Sequence, residues 1–115
     1  MTATHNQALG LAGEDLAAAW YEANGYEVLA RRWRVREGEL DLVVRRARTL
    51  VFCEVKTRTS AAFGSPAEAV THDKRDRIRH LAAKYLQVSP VRAREIRFDV
   101  ASVLDGDVEI IEGCF

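Results

Sequence analysis

The chain has 115 residues, enough for one hydrophobic core but not two, and at 48% apolar and 30% charged it has the composition of a globular domain. No apolar run approaches the roughly 20 residues of a membrane span, and the opening MTATHNQALG lacks the basic flank and apolar stretch of a signal peptide, so a cytoplasmic protein without a membrane partner is expected. The formal net charge is zero, yet the bases are segregated: residues 1–30 and 98–115 hold acids and no Lys or Arg, and all 17 bases, 14 of them Arg, fall between Arg31 and Arg97. Arginine's flat fork matches phosphate oxygens, although segregation along a chain is not yet segregation in space. The two cysteines, Cys53 and Cys114, show neither CxxC nor Cys/His spacing, which argues against a disulfide or a zinc site.

Helical periodicity begins the chain. Leu9, Ala12, Leu16, Ala19, Trp20 and Ala23 recur at steps of three and four between about Gln7 and Asn24, and Gly25 suits the position that ends a helix. YEVLARRW (from Tyr26) then reads as a first strand, GELDLVVRR (from Gly38) as a second and TLVFCEVKTR (from Thr49) as a third. The last two are close enough to form an antiparallel hairpin, but the connection holds no Gly or Asn, so a two-residue primed turn is not expected. SPAE marks a helix start, with Ser65 as N-cap, Pro66 in the first turn and Glu68 completing a capping box. That helix, with a break expected near Thr71 to Asp73, runs to about Leu86 and carries Ile78, Leu81, Ala82 and Tyr85 on its apolar stripe. EIRFDVASV gives a fourth strand, and VEII a short fifth across Asp105-Gly106. Helix, three-strand meander, helix and one or two strands imply an α/β fold with a mixed sheet flanked by helices.

The third strand poses a chemical question. Leu50, Val51, Phe52, Cys53 and Val55 are residues for a buried strand, yet Glu54 and Lys56 interrupt them on one face. If Arg46 pairs with Thr49, Asp41 of the second strand falls opposite Glu54, with Cβ atoms about 5 Å apart. Strict alternation puts Glu39, Asp41, Val43 and Arg45 on one face of that strand and Leu40, Leu42 and Val44 on the other. Facing carboxylates repel, and a divalent cation resolves the conflict; hard oxygen donors select Mg²⁺ or Mn²⁺. Lys56 could then orient a water or stabilise charge on a phosphate. The competing interpretation is a plain charge network of Asp41, Glu54, Lys56 and Arg58 on a half-exposed strand.

GELDLVV followed by VFCEVKTR resembles the PD-(D/E)xK nuclease signature, with Asp41 as its first acid and Glu54-Val55-Lys56 as the (D/E)xK element. Leu40 stands where the signature has proline, a residue with no chemical role. GLAGEDLAAAWYEANGYEVLARRWR, GELDLV, VFCEVKTR, FGSPAEAV, RFDV and the terminal aromatic together resemble the YraN family, small bacterial proteins similar to Holliday-junction resolvases. The resemblance covers about Leu9 to Phe115 and implies that residues 1–115 form one restriction-endonuclease-like domain with metal-dependent nuclease activity. On that resemblance Asp41, Glu54 and Glu14 would be metal ligands, Lys56 the catalytic lysine, and a homodimer would follow. Glu39 would either ligate the ion or support a ligand. Asp99 in RFDV is expected to be a structural partner of an arginine.

Contacts to DNA would come from Arg31, Arg32, Arg34 and Arg36 around Trp33, from Arg58, and from Lys74 and Arg77 on the second long helix. Arg45, Arg46 and Arg48 at the hairpin loop are further candidates. None of these makes a base-reading module, so recognition of DNA structure rather than sequence is expected. Two alternatives stand beside the enzyme: a catalytically silent nucleic-acid-binding protein of the same fold, and a protein-interaction module in which the acids only pair with arginines.

Overall fold

A computed structural model of the chain describes residues 5–58 and 70–115, with side chains from Leu11 onward. Helix α1 spans His5–Ala23, strand β1 Glu27–Val35, β2 Gly38–Arg46 and β3 Thr49–Arg58; helix α2 spans His72–Val88, β4 Glu95–Leu104 and β5 Asp107–Ile111. The strands form one sheet in the order β1-β2-β3-β4-β5. Only β3 and β4 run parallel, and the α2 crossover joins them; every other pairing is an antiparallel hairpin. This is the expected mixed sheet between helices, and it is consistent with a restriction-endonuclease-like fold. The proposed capping box of Ser65, Pro66 and Glu68 lies outside the described residues. Thr71 caps α2, its hydroxyl accepting from the Lys74 amide, at the place where a break in the helix was expected.

Alternation along β3 divides the core in two. Leu50 and Phe52 face α2 and pack with Ile78, Leu81, Ala82 and Tyr85, whereas Val51 and Cys53 face α1 and pack with Ala17, Ala18 and Tyr21. No described helix is long and apolar enough to cross a membrane.

Two expectations fail in informative ways. The buried stripe of α1 is Gly13, Glu14, Ala17, Ala18 and Tyr21, while Leu16 remains 37% exposed. The small side chains win because they let the helix approach closely: a Cβ on Gly13 would stand 2.0 Å from the Thr57 hydroxyl oxygen. Glycine within a helix costs about 1 kcal/mol against alanine, and this approach to β3 is its structural reason. The β2–β3 connection is also a two-residue turn after all, since Arg46 pairs with Thr49 and Ala47 adopts φ 53. The strand ladders on both sides of the turn fix this conformation even though alanine disfavours it. By contrast β4 and β5 join through Asp105-Gly106, both at positive φ, the residue pair that such turns prefer.

Candidate functional site

The hairpin register is the anticipated one, with Arg46 opposite Thr49 and Leu42 opposite Cys53, but the ladder stops there. Regular alternation also breaks at this point. Leu40 packs in the α2-side core with Val43 and Phe52, whereas Leu42 packs on the α1 side, so Leu40 and Leu42 do not share a face as strict alternation required. The break lies at Asp41, beside Arg32 of β1, whose φ of 53 falls between the in-register pairs Arg31–Leu42 and Trp33–Leu40. Past Leu42, Asp41 Oδ2 accepts a hydrogen bond of 2.9 Å from the backbone amide of Val55. A side chain thus replaces a carbonyl in the ladder and fixes the Asp41 carboxylate to the chain between Glu54 and Lys56.

The Asp41 carboxyl is pushed up to about 7, first by burial and then by the nearby charge of Glu54, against the opposing pull of the Val55 amide and Lys56. Lys56 Nζ lies 3.3 Å from Glu54 Oε1, and both side chains are largely buried. Asp41, Glu54 and Lys56 therefore interact, although the ladder does not pair Asp41 with Glu54 as the register required. Glu14 joins from α1: it is 6% exposed, and burial followed by the charge of Asp41 raises its carboxyl. Arg31 Nε stands 3.7 Å from Glu14 Oε1, beyond hydrogen-bond range, and that oxygen is buried without a hydrogen-bond partner. Glu39 is otherwise engaged, accepting from Arg34 at 2.6 and 3.1 Å and lying 3.8 Å from Arg32.

Toward α2 the site opens into a cleft of about 150 Å³, lined by Glu39, Glu54 and Lys56 from the sheet and by Lys74, Arg77 and Leu81 from the helix. Gly38 admits α2 here, because a Cβ on it would meet Leu81 at 3.2 Å. Such a cleft is too small to enclose a nucleotide but suits a phosphate group laid across its mouth.

The basic candidates divide by place. Lys74 and Arg77 reach the cleft, and Arg58 extends from the end of β3 to within 3.4 Å of the Ser102 hydroxyl. Arg31 ties β1 to α1 through Asp15 and Glu14, Arg32 and Arg34 hold Glu39, and Arg36 is exposed in the β1–β2 turn. Arg45 and Arg46 belong to the frame: Arg45 pairs with Glu27 at 3.0 Å, and Arg46 lies 4.4 Å over the Tyr26 ring. With Arg48 they sit at the turn end of the hairpin, where Arg46 is five residues of strand or about 16 Å from Asp41. Asp99 is a structural partner of Arg97, which grips it through bonds of 2.8 and 2.9 Å.

Sequence reading missed Thr57, whose buried hydroxyl lacks a hydrogen-bond partner beside Gly13, and the Val55 amide, which no side-chain pattern can reveal. It also left Lys74 among general phosphate contacts, although it adjoins Lys56.

The sequence profile of the uncharacterised protein family UPF0102 matches residues 13–103. The chain belongs to this family. Among its relatives, a UPF0102 protein of Beutenbergia cavernae is 56% identical over 97 residues, covering 84% of this chain and 82% of the relative. One from Nocardia farcinica is 55% identical over 98 residues, covering 85% and 77%, and one from a Parafrankia species is 53% identical, covering 85% and 83%. The UPF0102 match agrees with the YraN resemblance in the sequence and spans Glu14, Asp41, Glu54, Lys56, Lys74 and Arg77.

Proposed function

We propose that this UPF0102 protein is a divalent-cation-dependent endonuclease that hydrolyses phosphodiester bonds in DNA, with branched or otherwise structured DNA as its substrate. The observation that carries the reading is the pair Glu54–Lys56 in a cleft whose other wall presents Lys74 and Arg77, with the Asp41 carboxylate bound to the Val55 amide between them in sequence. Two half-buried carboxylates that repel one another are a hard-oxygen donor set suited to a cation. Among the described residues no three acidic, imidazole or thiol groups converge tightly enough to cage an ion. Mg²⁺ is commonly held by one or two carboxylates and completes its octahedron with water and phosphate oxygen.

Asp41 and Glu54 would hold the ion, with Glu14 near Asp41 as the candidate third acid. Bound there, Mg²⁺ or Mn²⁺ supplies a water acidic enough to attack phosphorus and a positive charge for the phosphate oxygens. The chain's own residues do the rest. The Val55 amide fixes Asp41, the Lys56 ammonium faces the reacting phosphate and offsets its growing charge, and Lys74 and Arg77 hold the backbone without reading sequence. Two copies acting together would cut paired strands of a junction.

The alternative is a nucleic-acid-binding protein of the same fold with a silent site, favoured by the absence of a third converging ligand among the described residues. Incubation of linear, flapped and four-way-junction DNA with Mg²⁺ separates the two. Cleavage by the wild type that Lys56→Ala abolishes supports the enzyme; binding to junctions with no cleavage in Mg²⁺ or Mn²⁺ selects the silent protein.

A further inference from the structure

The cleft holds a second like-charge pair. Lys56, already 3.3 Å from Glu54, has Lys74 of α2 as its neighbour, and both line the cleft together with Arg77. Both ammonium groups line this one cleft, and the charge of Lys56 is the leading cause lowering Lys74 from its ordinary value. Among the described residues no carboxylate forms an ion pair with Lys74 or Arg77: Glu54 pairs with Lys56, Glu39 with Arg32 and Arg34, and Asp76 with Arg79 and His72. Of the two acids lining the cleft, Glu39 is held by Arg32 and Arg34, which leaves Glu54 to face three cations. Adjacent ammonium groups repel as adjacent carboxylates do, and a tetrahedral anion between them turns both repulsions into charge-assisted hydrogen bonds.

We propose that Lys56, Lys74 and Arg77 form a phosphate seat that works without a metal, with Lys74 as a phosphate-binding residue distinct from the carboxylate pair. Its ligand is a backbone phosphate of nucleic acid, an assignment that rests on the nuclease reading; the seat itself does not. The sheet wall would attract a cation and the helix wall an anion, so the protein would engage DNA before any metal arrives. Lys74 lies in the first turn of α2, after the Thr71 cap, so a 17-residue helix packed on the core holds its backbone in place.

The test uses the full chain in EDTA. Inorganic phosphate at tenfold excess over its dissociation constant should raise Tm by a few degrees, beyond the effect of sodium chloride at equal ionic strength. Lys74→Gln should remove that increment and Lys74→Arg should retain it, whereas Arg48→Gln, with the same charge change at the distant turn, should leave it intact. An equal increment in Lys74→Gln, or none beyond salt in the wild type, overturns the seat. A short single-stranded oligonucleotide, followed by anisotropy in EDTA, should bind about tenfold more weakly to Lys74→Gln. A mononucleotide that binds as tightly as the oligonucleotide overturns the backbone assignment. The two proposals fail separately: phosphate stabilisation without cleavage in Mg²⁺ leaves the seat standing and removes the enzyme, and cleavage without phosphate stabilisation does the reverse.

Discussion

Two aspartates of one sheet, Asp99 and Asp41, meet burial in opposite ways. Asp99 on β4 is fully buried, and its oxygens accept two bonds from Arg97, one of 2.7 Å from the Tyr21 hydroxyl and one of 3.0 Å from the Gly113 amide. Every cost of burying that charge is met within the protein. Asp41 on β2 has one amide bond and the charge of Lys56 against two neighbouring carboxylates, Glu54 and Glu14, whose effect with burial prevails. A carboxylate matched by an arginine fork and a phenol is architecture. One left facing like charge costs stability unless a ligand supplies the missing cation, and that difference separates frame from site more clearly than either residue's burial.

The comparison can be broken by substitution. Asp99→Ala removes one side of a buried ion pair and leaves Arg97 and Tyr21 without their acceptor; chemical denaturation should show a loss of about 3–5 kcal/mol. Asp41→Asn should go the other way. It keeps an oxygen for the Val55 amide but removes the charge, and it should stabilise the protein by about 2 kcal/mol at pH 8. The sign follows from the raised carboxyl: between the ordinary value near 4 and about 7, the native state binds more protons than the unfolded state. Wild-type stability should therefore fall as pH rises through that window, and the gap between wild type and Asp41→Asn should close below pH 4. A loss of stability in Asp41→Asn at pH 8 would place Asp41 with Asp99 in the frame.

A smaller effect sharpens the contrast. At pH 8, Mg²⁺ at ten times its dissociation constant should add about 1.4 kcal/mol to the wild type and nothing to Asp41→Asn, as measured by Tm. Equal responses would remove the metal from the site. The smallest effect serves as reference: Ala47→Gly relieves the positive φ of the β2–β3 turn and should stabilise by about 0.5–1 kcal/mol at every pH and metal concentration.

The order of elements and the hairpin register were legible because apolar alternation and chain length leave few alternatives for GELDLVVRR and TLVFCEVKTR. The ladder ends at Leu42 and Cys53, however, so Asp41 meets β3 through its bond to the Val55 amide and not by pairing with Glu54. The face of α1 was not legible, because the pattern weighs Leu16 above Ala17, while packing against β3 rewards the small surface of Gly13, Ala17 and Ala18. Glu14 falls outside the Leu9, Leu16 and Trp20 stripe by periodicity and is nonetheless buried. The change of face at Asp41 lies beside the positive φ of Arg32, a conformation that arginine does not announce. Lys74 lies 18 residues beyond Lys56 in sequence, and only the α2 crossover brings the two together.

The bond from the Val55 amide to Asp41 gives the molecule a built-in reporter. Its proton lies against the oxygen whose ionisation or coordination is at issue, so the Val55 cross-peak in a ¹H–¹⁵N spectrum should follow each event at that carboxylate. Titrated with acid, the peak should move with the Asp41 midpoint. Titrated with magnesium at constant pH, it should move along a different path, distinguishing loss of charge from its capture without any substitution in the protein.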